Sequence, residues 1–589
     1  MNRTGRVIVI MLILIGCAGG LLWFGKGKIK KAQPRQVITM KENIYITSVS
    51  GSVITVLEEG NNKEYTASSG FQEDVTGVAD LTFTDGQLTK ISKKPDRIKG
   101  KLLKVTDETV EIWEYGTIEL DPSFCIYVKS RAGQVSLGKK QQLTVGNQNV
   151  EFVVARGKVC AAIIQEEEVT NIRVILKNKE TQTYDFEQLE FQSSKDFFVT
   201  EGKKKTTIEA GKTYTLGKDT KSEVVMLTPS QGAEIGVLKV QKEQKTTYYP
   251  GALEAHKKDG KWQLINELDL ESYLYSVIPS EMPTEYEIEA LKAQAICART
   301  YALAQIQNNR LAKYGAHVDD TTAFQVYNRF SKDERSIQAV NDTKGKVICY
   351  QGSLASAYFY SSSCGVSEGI KNVWYAKKDV DYLPCQTLCD KRENADLDQE
   401  KDFQKFITEK KDSIDASSPW YRWTAKISKK DIRECLESRI QARYEVNPSQ
   451  IKAEKKDSLS EIGDIRQVRV IKRGKSGVVM GIEVKGEKNT VKIYTEYNVR
   501  LLLAGKNGVY TRGDGTIVKN LSLLPSGYFY VEEKGEDIQL TGGGYGHGVG
   551  MSQTGANQLA KNGKTSDQII SYFFPTTSLE SVESLLSTT

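Results

Sequence analysis

"PTEYEIEALKAQAICARTYALAQIQ", Pro283 to Gln307, is the longest stretch of this chain that reads as a single element. After Pro283 it contains neither Gly nor Pro, and Thr284 with Glu287 has the T-x-x-E spacing of a capping box, so a long helix is predicted to start there. Ala290, Ala293, Ala295, Ala298, Ala302 and Ala304 keep that helix slim, which lets neighbouring backbone come close. On its N-terminal side, strand-like runs extend from "NIRVILKN" (Asn171 onward) to "KWQLINELDLESYL". On its C-terminal side strands return with "IRQVRVIKRG", "GVVMGIEVKG" and "YFYVEEKG". One dominant helix among many strands, rather than helices alternating with strands, predicts an α+β main domain with the long helix packed into a β framework.

Further out, residues 36–164 show short alternating apolar runs broken by turn signals such as "EEGNN" and "TDGQ". A weak internal duplication, "SGSVITVLEEGNNKEYTAS" against "IKGKLLKVTDETVEIWEYGTIELD", predicts two small β-barrel-like modules in tandem. From Asp390 to about Lys456 the chain is densely charged, which predicts exposed helices and an insertion, 390–456, within a main domain of 171–577.

A length of 589 residues implies more than one core, and a net charge of +6 from 81 basic and 75 acidic residues makes no case for nucleic acid. Val7 to Phe24 is an uninterrupted apolar run behind Arg3 and Arg6, long enough to span a bilayer core. Without a clear cleavage box, residues 1–31 are expected to form a single-pass membrane anchor with the remainder outside the cytoplasm. A cleaved signal peptide, or lipid attachment at Cys17, are the alternatives.

Eight cysteines follow Cys17, an even number compatible with disulfides in an exported chain but fixing no connectivity. Cys364, Cys385 and Cys389 have no histidine near them, so no metal and no cofactor are expected. Lys292 and Arg299, seven residues apart, share a helix face with Gln294 nearby, as ligand-facing cations or as solvated surface charge. Of three histidines, His256, His317 and His547, the last sits in "GGGYGHGVGMSQTGANQLA", starting at Gly542.

"IPSEMPTEYEIEALKAQAICARTYAL" (Ile278 to Leu303), followed by "GYGHGVGMSQTGA" (Gly544 to Ala556), resembles the SpoIID/LytB family of bacterial cell-wall proteins. Similar stretches lie between them: "DDTTAFQVYN" (Asp319 to Asn328), "AYFYSSSCGVSEGIKNVW" (Ala357 to Trp374), "SSPWYRW" (Ser417 to Trp423) and "YNVRLLLA" (Tyr497 to Ala504). The resemblance covers about Asn171 to Phe574. It implies action on peptidoglycan glycan strands, in the SpoIID branch as a lytic transglycosylase that cuts the MurNAc to GlcNAc bond and leaves an anhydro end, with a role in sporulation. The catalytic acid it implies is Glu281 of "PSEMP". The LytB-like branch implies instead a non-catalytic amidase enhancer with a wall amidase as partner.

One carboxylate suffices for lytic cleavage, since the sugar's own C6 hydroxyl attacks, whereas glycoside hydrolysis needs two. Glu281 would precede a helix N-terminus, which favours the ionised form, so apolar walls from Ile278, Met282 and Pro283 are required to keep it protonated. The resemblance assigns His547 and Gln553 as hydrogen-bonding groups of a sugar groove, with Gly546 and Gly548 allowing close approach and Ser552 anchoring the loop. Ser361, Ser362, Ser363, Gln325 and Tyr327 are further candidates to line it. Two departures stand out: Cys364 where relatives carry a second glycine, which admits a nearby disulfide, and Thr554 where an aromatic residue is common. Some relatives hold zinc through a His/Cys cluster after the long helix; His317 here is followed by "VDDTTAFQVY" with no cysteine, so no metal is expected there.

Overall fold

The computed structural model describes residues 36–67, 75–165, 170–238, 246–327, 333–389, 396–409 and 412–587. They fall into two units. The first runs up to Asp269 and takes in Gln305–Phe324, and the second comprises Leu270–Ala304 and Gln325 onward.

The first unit is built from sheets. Strands Ile38–Ser50, Val53–Glu58, Asn61–Thr66, Gly77–Thr84 and Gln87–Lys93 make a five-stranded antiparallel sheet around Ile46, Ile54, Val56, Leu81 and Phe83. The next sheet, spanning Arg97 to Gln165, is wired differently: Lys158–Gln165 lies parallel to Gly116–Lys129. A third sheet carries Asn171–Ile175 between Lys261–Asp269 and Val318–Asp319. Buried Arg173 donates to Glu254 and Glu267, and Lys101 reaches the same two carboxylates at 3.0 and 2.7 Å. Burial alone would raise the Glu254 pKa, but Arg173 and Lys101 outweigh it and hold that carboxyl well below its ordinary value.

His317 belongs to the same region. Its Nδ1 accepts the Arg173 N–H at 3.1 Å, and Nε2 lies 3.1 Å from the Val145 carbonyl. Burial, with the Arg173 charge, pushes its pKa down to about 3, so the ring is neutral and both nitrogens are engaged.

The second unit holds the helices α1 (Leu270–Glu281), α2 (Ile288–Asn308), α3 (Glu334–Asp342), α4 (Ile370–Trp374), α5 (Glu400–Thr408), α6 (Lys429–Val446), α7 (Glu496–Leu503) and α8 (Gln553–Lys561). The last four residues of α2 belong to the first unit. α2 begins at Ile288, later than Thr284 suggests, because Pro283 to Tyr286 close a turn with the Tyr286 N–H on the Pro283 carbonyl at 3.1 Å. α1 is an element that strand-like reading passes over. Its Leu270, Tyr273, Leu274, Val277 and Ile278 recur at helical spacing and are all buried.

The densely charged stretch contributes to the core. Trp423–Ser428 is the middle strand of a five-stranded sheet, paired with Val509–Arg512 on one side and Asp537–Gly542 on the other. α6 turns Ile432, Leu436 and Ile440 into the same cluster as Trp423 and Phe529. Its charges occupy the opposite face, so composition alone made a buried element look exposed.

The described residues do not bear out a single-pass membrane anchor. The run Val7 to Phe24 lies outside the described residues, and among the described residues no helix is long and apolar enough to cross a membrane. The two longest described helices, α2 with 21 residues and α6 with 18, are interrupted by charge: α2 carries Glu289, Lys292 and Arg299, and α6 is charged along most of its length. All eight described cysteines are free thiols, including Cys364.

Candidate functional site

Glu281 ends α1 rather than preceding a helix. Its carboxyl therefore sits at the negative end of a helix dipole, which opposes ionisation, the reverse of what a helix start would do. Pro279 lies in that last turn, and the Met282 N–H continues it onto the Ile278 carbonyl at 3.0 Å. The Val326 N–H donates to Oε1 of the carboxylate at 2.6 Å. Burial raises the Glu281 pKa to about 7, and the Val326 bond offsets only part of that.

Gln325 and Tyr327 flank Val326 and both are buried. The Gln325 amide donates to the Ala298 carbonyl of α2 at 3.3 Å and lies 3.4 Å from the Tyr273 hydroxyl of α1, while the Tyr327 ring stacks on Tyr273 at 5.2 Å. These two side chains thus pin the segment between α1 and α2 and aim the Val326 amide at Glu281. A role in positioning the acid fits them better than contact with a ligand.

The cations of α2 are taken up by the protein. Arg299, fully buried, makes a bidentate pair with Glu271 of α1 at 2.8 and 2.7 Å and donates to the carbonyls of Val340 and Lys346. Lys292 pairs with Glu289 and with Asp342 of α3, each at 3.0 Å. They do share one helix face, but it is turned toward α3. Gln294, also buried, accepts from the Gln553 amide at 3.4 Å, which joins α2 to the start of α8.

Ser361, Ser362 and Ser363 divide in role. Ser363 and Ser552 both bind one buried carboxylate, Asp415: the Ser363 hydroxyl donates to Oδ2 at 2.6 Å, its N–H to Oδ1 at 3.0 Å, and the Ser552 hydroxyl also to Oδ1. Burial raises the Asp415 pKa above its ordinary value although these bonds act against it. Ser552 also caps α8, accepting the Gly555 N–H at 3.2 Å. Ser362 exchanges backbone hydrogen bonds with Tyr545, and Ser361 offers its carbonyl to the Thr554 N–H and hydroxyl, each at 3.0 Å. Asp415 escaped sequence reading because it is one acid among many in a charged run. Its only signal is its place just ahead of "SSPWYRW".

The glycines beside His547 serve close approach to the protein's own strand. A Cβ on Gly546, at φ +116°, would stand 2.7 Å from the Tyr360 Cβ, and one on Gly548 would stand 2.6 Å from the Tyr528 hydroxyl. His547 Nδ1 accepts the Val549 N–H at 3.1 Å and the ring bonds the Phe359 backbone. Burial, aided by the Arg500 charge, pushes its pKa down to about 3. Its hydrogen-bonding groups are thus in use, and what it presents is a neutral ring amid Tyr358, Tyr360 and Trp374. Gly546→Ala is expected to lower stability by about 2–4 kcal/mol, through positive φ and overlap together, checked by chemical denaturation. An unchanged midpoint would show that the loop can lift off the strand.

Residues 258–350 match the family model described as Stage II sporulation protein, and residues 368–550 match a domain of unknown function. The chain is 31% identical over 311 residues to the amidase enhancer of Bacillus subtilis, a match that covers 52% of this chain and 40% of that protein. It is 27% identical over 339 residues to Stage II sporulation protein D of the same organism, covering 55% of this chain and 78% of that protein. The Bacillus amyloliquefaciens Stage II sporulation protein D is 25% identical over 337 residues, covering 55% and 77%. A SpoIID domain is thus present at residues 258–350, with α1 and α2 inside it, and over about half of its length the chain is similar to both Stage II sporulation protein D and the amidase enhancer.

Proposed function

We propose that this chain is a peptidoglycan lytic transglycosylase that cuts MurNAc to GlcNAc bonds and leaves anhydro-MurNAc ends, acting in wall remodelling during sporulation. The observation that carries the reading is Glu281, a carboxyl raised to about 7 by burial rather than by a second carboxylate. At neutral pH such a group is protonated in a large fraction of molecules and can give a proton to the glycosidic oxygen. The MurNAc C6 hydroxyl then bonds to C1 as the C1 to oxygen bond breaks, and its proton passes to the carboxylate. Glu281 thereby returns to its starting state and no water is consumed.

The acid must be protonated in the free protein, so kcat/KM is expected to be level below pH 6 and to fall about tenfold per pH unit well above 7. A profile flat from pH 5 to 9 would remove Glu281 from the role of acid. The test of the reaction itself is to incubate the full chain with intact and with peptide-stripped glycan strands and look for anhydro ends by mass spectrometry. Reducing ends would instead mean hydrolysis and a second carboxylate.

A second reading rests on the relative named amidase enhancer. In it the chain holds glycan strands without cutting them and raises the activity of a wall amidase. Strands recovered uncut, together with faster amidase turnover, would favour it.

A further inference from the structure

α4 ends in two consecutive aromatic residues, Trp374 and Tyr375, that remain 38% and 37% exposed. Tyr375 stands at φ +55°, ψ +34°, at a helix C-terminus where glycine is the common occupant and a bulky side chain is strained. Its hydroxyl donates to the Met480 carbonyl at 2.8 Å and also meets the Thr495 backbone, and Lys472 lies 5.5 Å from the ring centre. A strained aromatic at a surface turn persists only where the surroundings over-determine it, and such positions concentrate at binding sites.

Trp374 is backed by rings. It lies 4.6 Å from Tyr358 and 5.0 Å from His547, centroid to centroid. The segment leading into α4 is tied to the same loop, since the Glu368 N–H donates to the Gly548 carbonyl at 2.8 Å and the Glu368 carboxylate takes the Ser476 N–H and hydroxyl. Further along that loop Tyr545 is 36% exposed and packs on Trp420 at 4.9 Å. The surface is therefore continuous with the glycine-rich loop of the candidate site. It is also uncharged at its centre, because His547 is neutral. In the second unit the large exposed aliphatic side chains among the described residues, Val446 and Ile517, lie on other elements, at the end of α6 and in the strand Ile517–Lys519.

Half-exposed flat rings, Trp374 backed by a neutral imidazole and Tyr375 by the Lys472 ammonium, suit one occupant above others. The C–H face of a pyranose packs on an aromatic plane while its hydroxyls point outward to water and to nearby donors such as Lys472. A protein partner would be expected to meet a patch that mixes aromatic with aliphatic side chains. We propose that Trp374 and Tyr375 form a stacking subsite for a sugar ring of the glycan strand, separate from the Glu281 carboxyl, which makes the protein favour long strands over short fragments. The proposal rests on the glycan reading above.

The test uses the full chain in the Glu281→Gln background, so that strands are bound without being cut, titrated with peptide-free glycan strands of defined length and with a disaccharide. Trp374→Ala is expected to weaken binding of long strands about tenfold and to leave the disaccharide unaffected, while Trp374→Phe keeps most of the affinity. Tyr375→Gly is expected to weaken long-strand binding as well, yet to unfold no earlier than the parent, because glycine relieves the strained φ. Undiminished long-strand binding in Trp374→Ala overturns the subsite even if the parent cuts glycan. Loss of amidase stimulation with glycan binding intact also overturns it and makes the patch a protein interface. If no variant binds strands and the unsubstituted chain leaves them whole, the glycan reading itself fails and the subsite falls with it.

Discussion

Glu281→Gln is expected to abolish the release of anhydro ends and, at the same time, to make the protein more stable at alkaline pH. The loss should be at least about a thousandfold, because general acid and general base roles, each worth about 10²–10⁴, fall on one group. The gain follows from linkage. The Glu281 pKa is raised by burial from 4.5 to about 7, so the stability of the parent is full below pH 4.5 and diminishes as pH rises through 7, where the buried carboxylate must be carried charged. Glutamine keeps an acceptor for the Val326 N–H and never ionises. The variant should therefore match the parent near pH 4 and exceed it by about 2–3 kcal/mol at pH 8, read from urea midpoints at the two values. Anhydro ends formed by the variant at the parent's rate would refute the catalytic assignment. Equal midpoints at pH 8 would mean that the carboxylate is well solvated.

The second large effect is expected at Asp415. Two serine hydroxyls and backbone N–H groups of Ser363 and Gly555 converge on this buried side chain. Asp415→Ala leaves the two serine hydroxyls and the Ser363 N–H buried without this acceptor, at a cost of about 1–3 kcal/mol for each that water cannot reach, while the Gly555 N–H keeps the Ser552 hydroxyl. A loss of about 4 kcal/mol or more is expected, with glycan cleavage falling further than unfolding alone explains, since both the serine run and the start of α8 lose their tie. Asp415→Asn keeps one acceptor and should retain roughly half of the lost stability. A midpoint within 1 kcal/mol of the parent would mean that the serines find other partners.

What the sequence showed, and what it hid, follows from the range of the interactions. α2 was legible because its helical character is local: no breakers, small residues, high propensity. Its start was not, since Thr284 and Glu287 satisfy the spacing of a capping box while Pro283 to Tyr286 form a turn instead. α1 was lost because it follows a strand without punctuation and has Pro279 near its end, both of which read as interruption. Glu281 was singled out through motif resemblance, but the helix terminus beside it was read with the wrong sign, because it is the end of α1. Arg299 and Lys292 were correctly placed on one face of α2. Which neighbour that face meets is set by α1 and α3, and helical spacing carries no such information. The same applies to Asp415, whose partners lie 52 and 137 residues away.

That last separation bears on how the protein is made. The carboxylate of Asp415 cannot take up Ser552 until 137 more residues have been synthesised. At about 5–20 residues per second this is a delay on the order of ten seconds, during which the serine run and its acid have no second anchor. The tie between the serine run and the start of α8 is thus made only late in synthesis, when the C-terminal loop closes on a segment that was already complete.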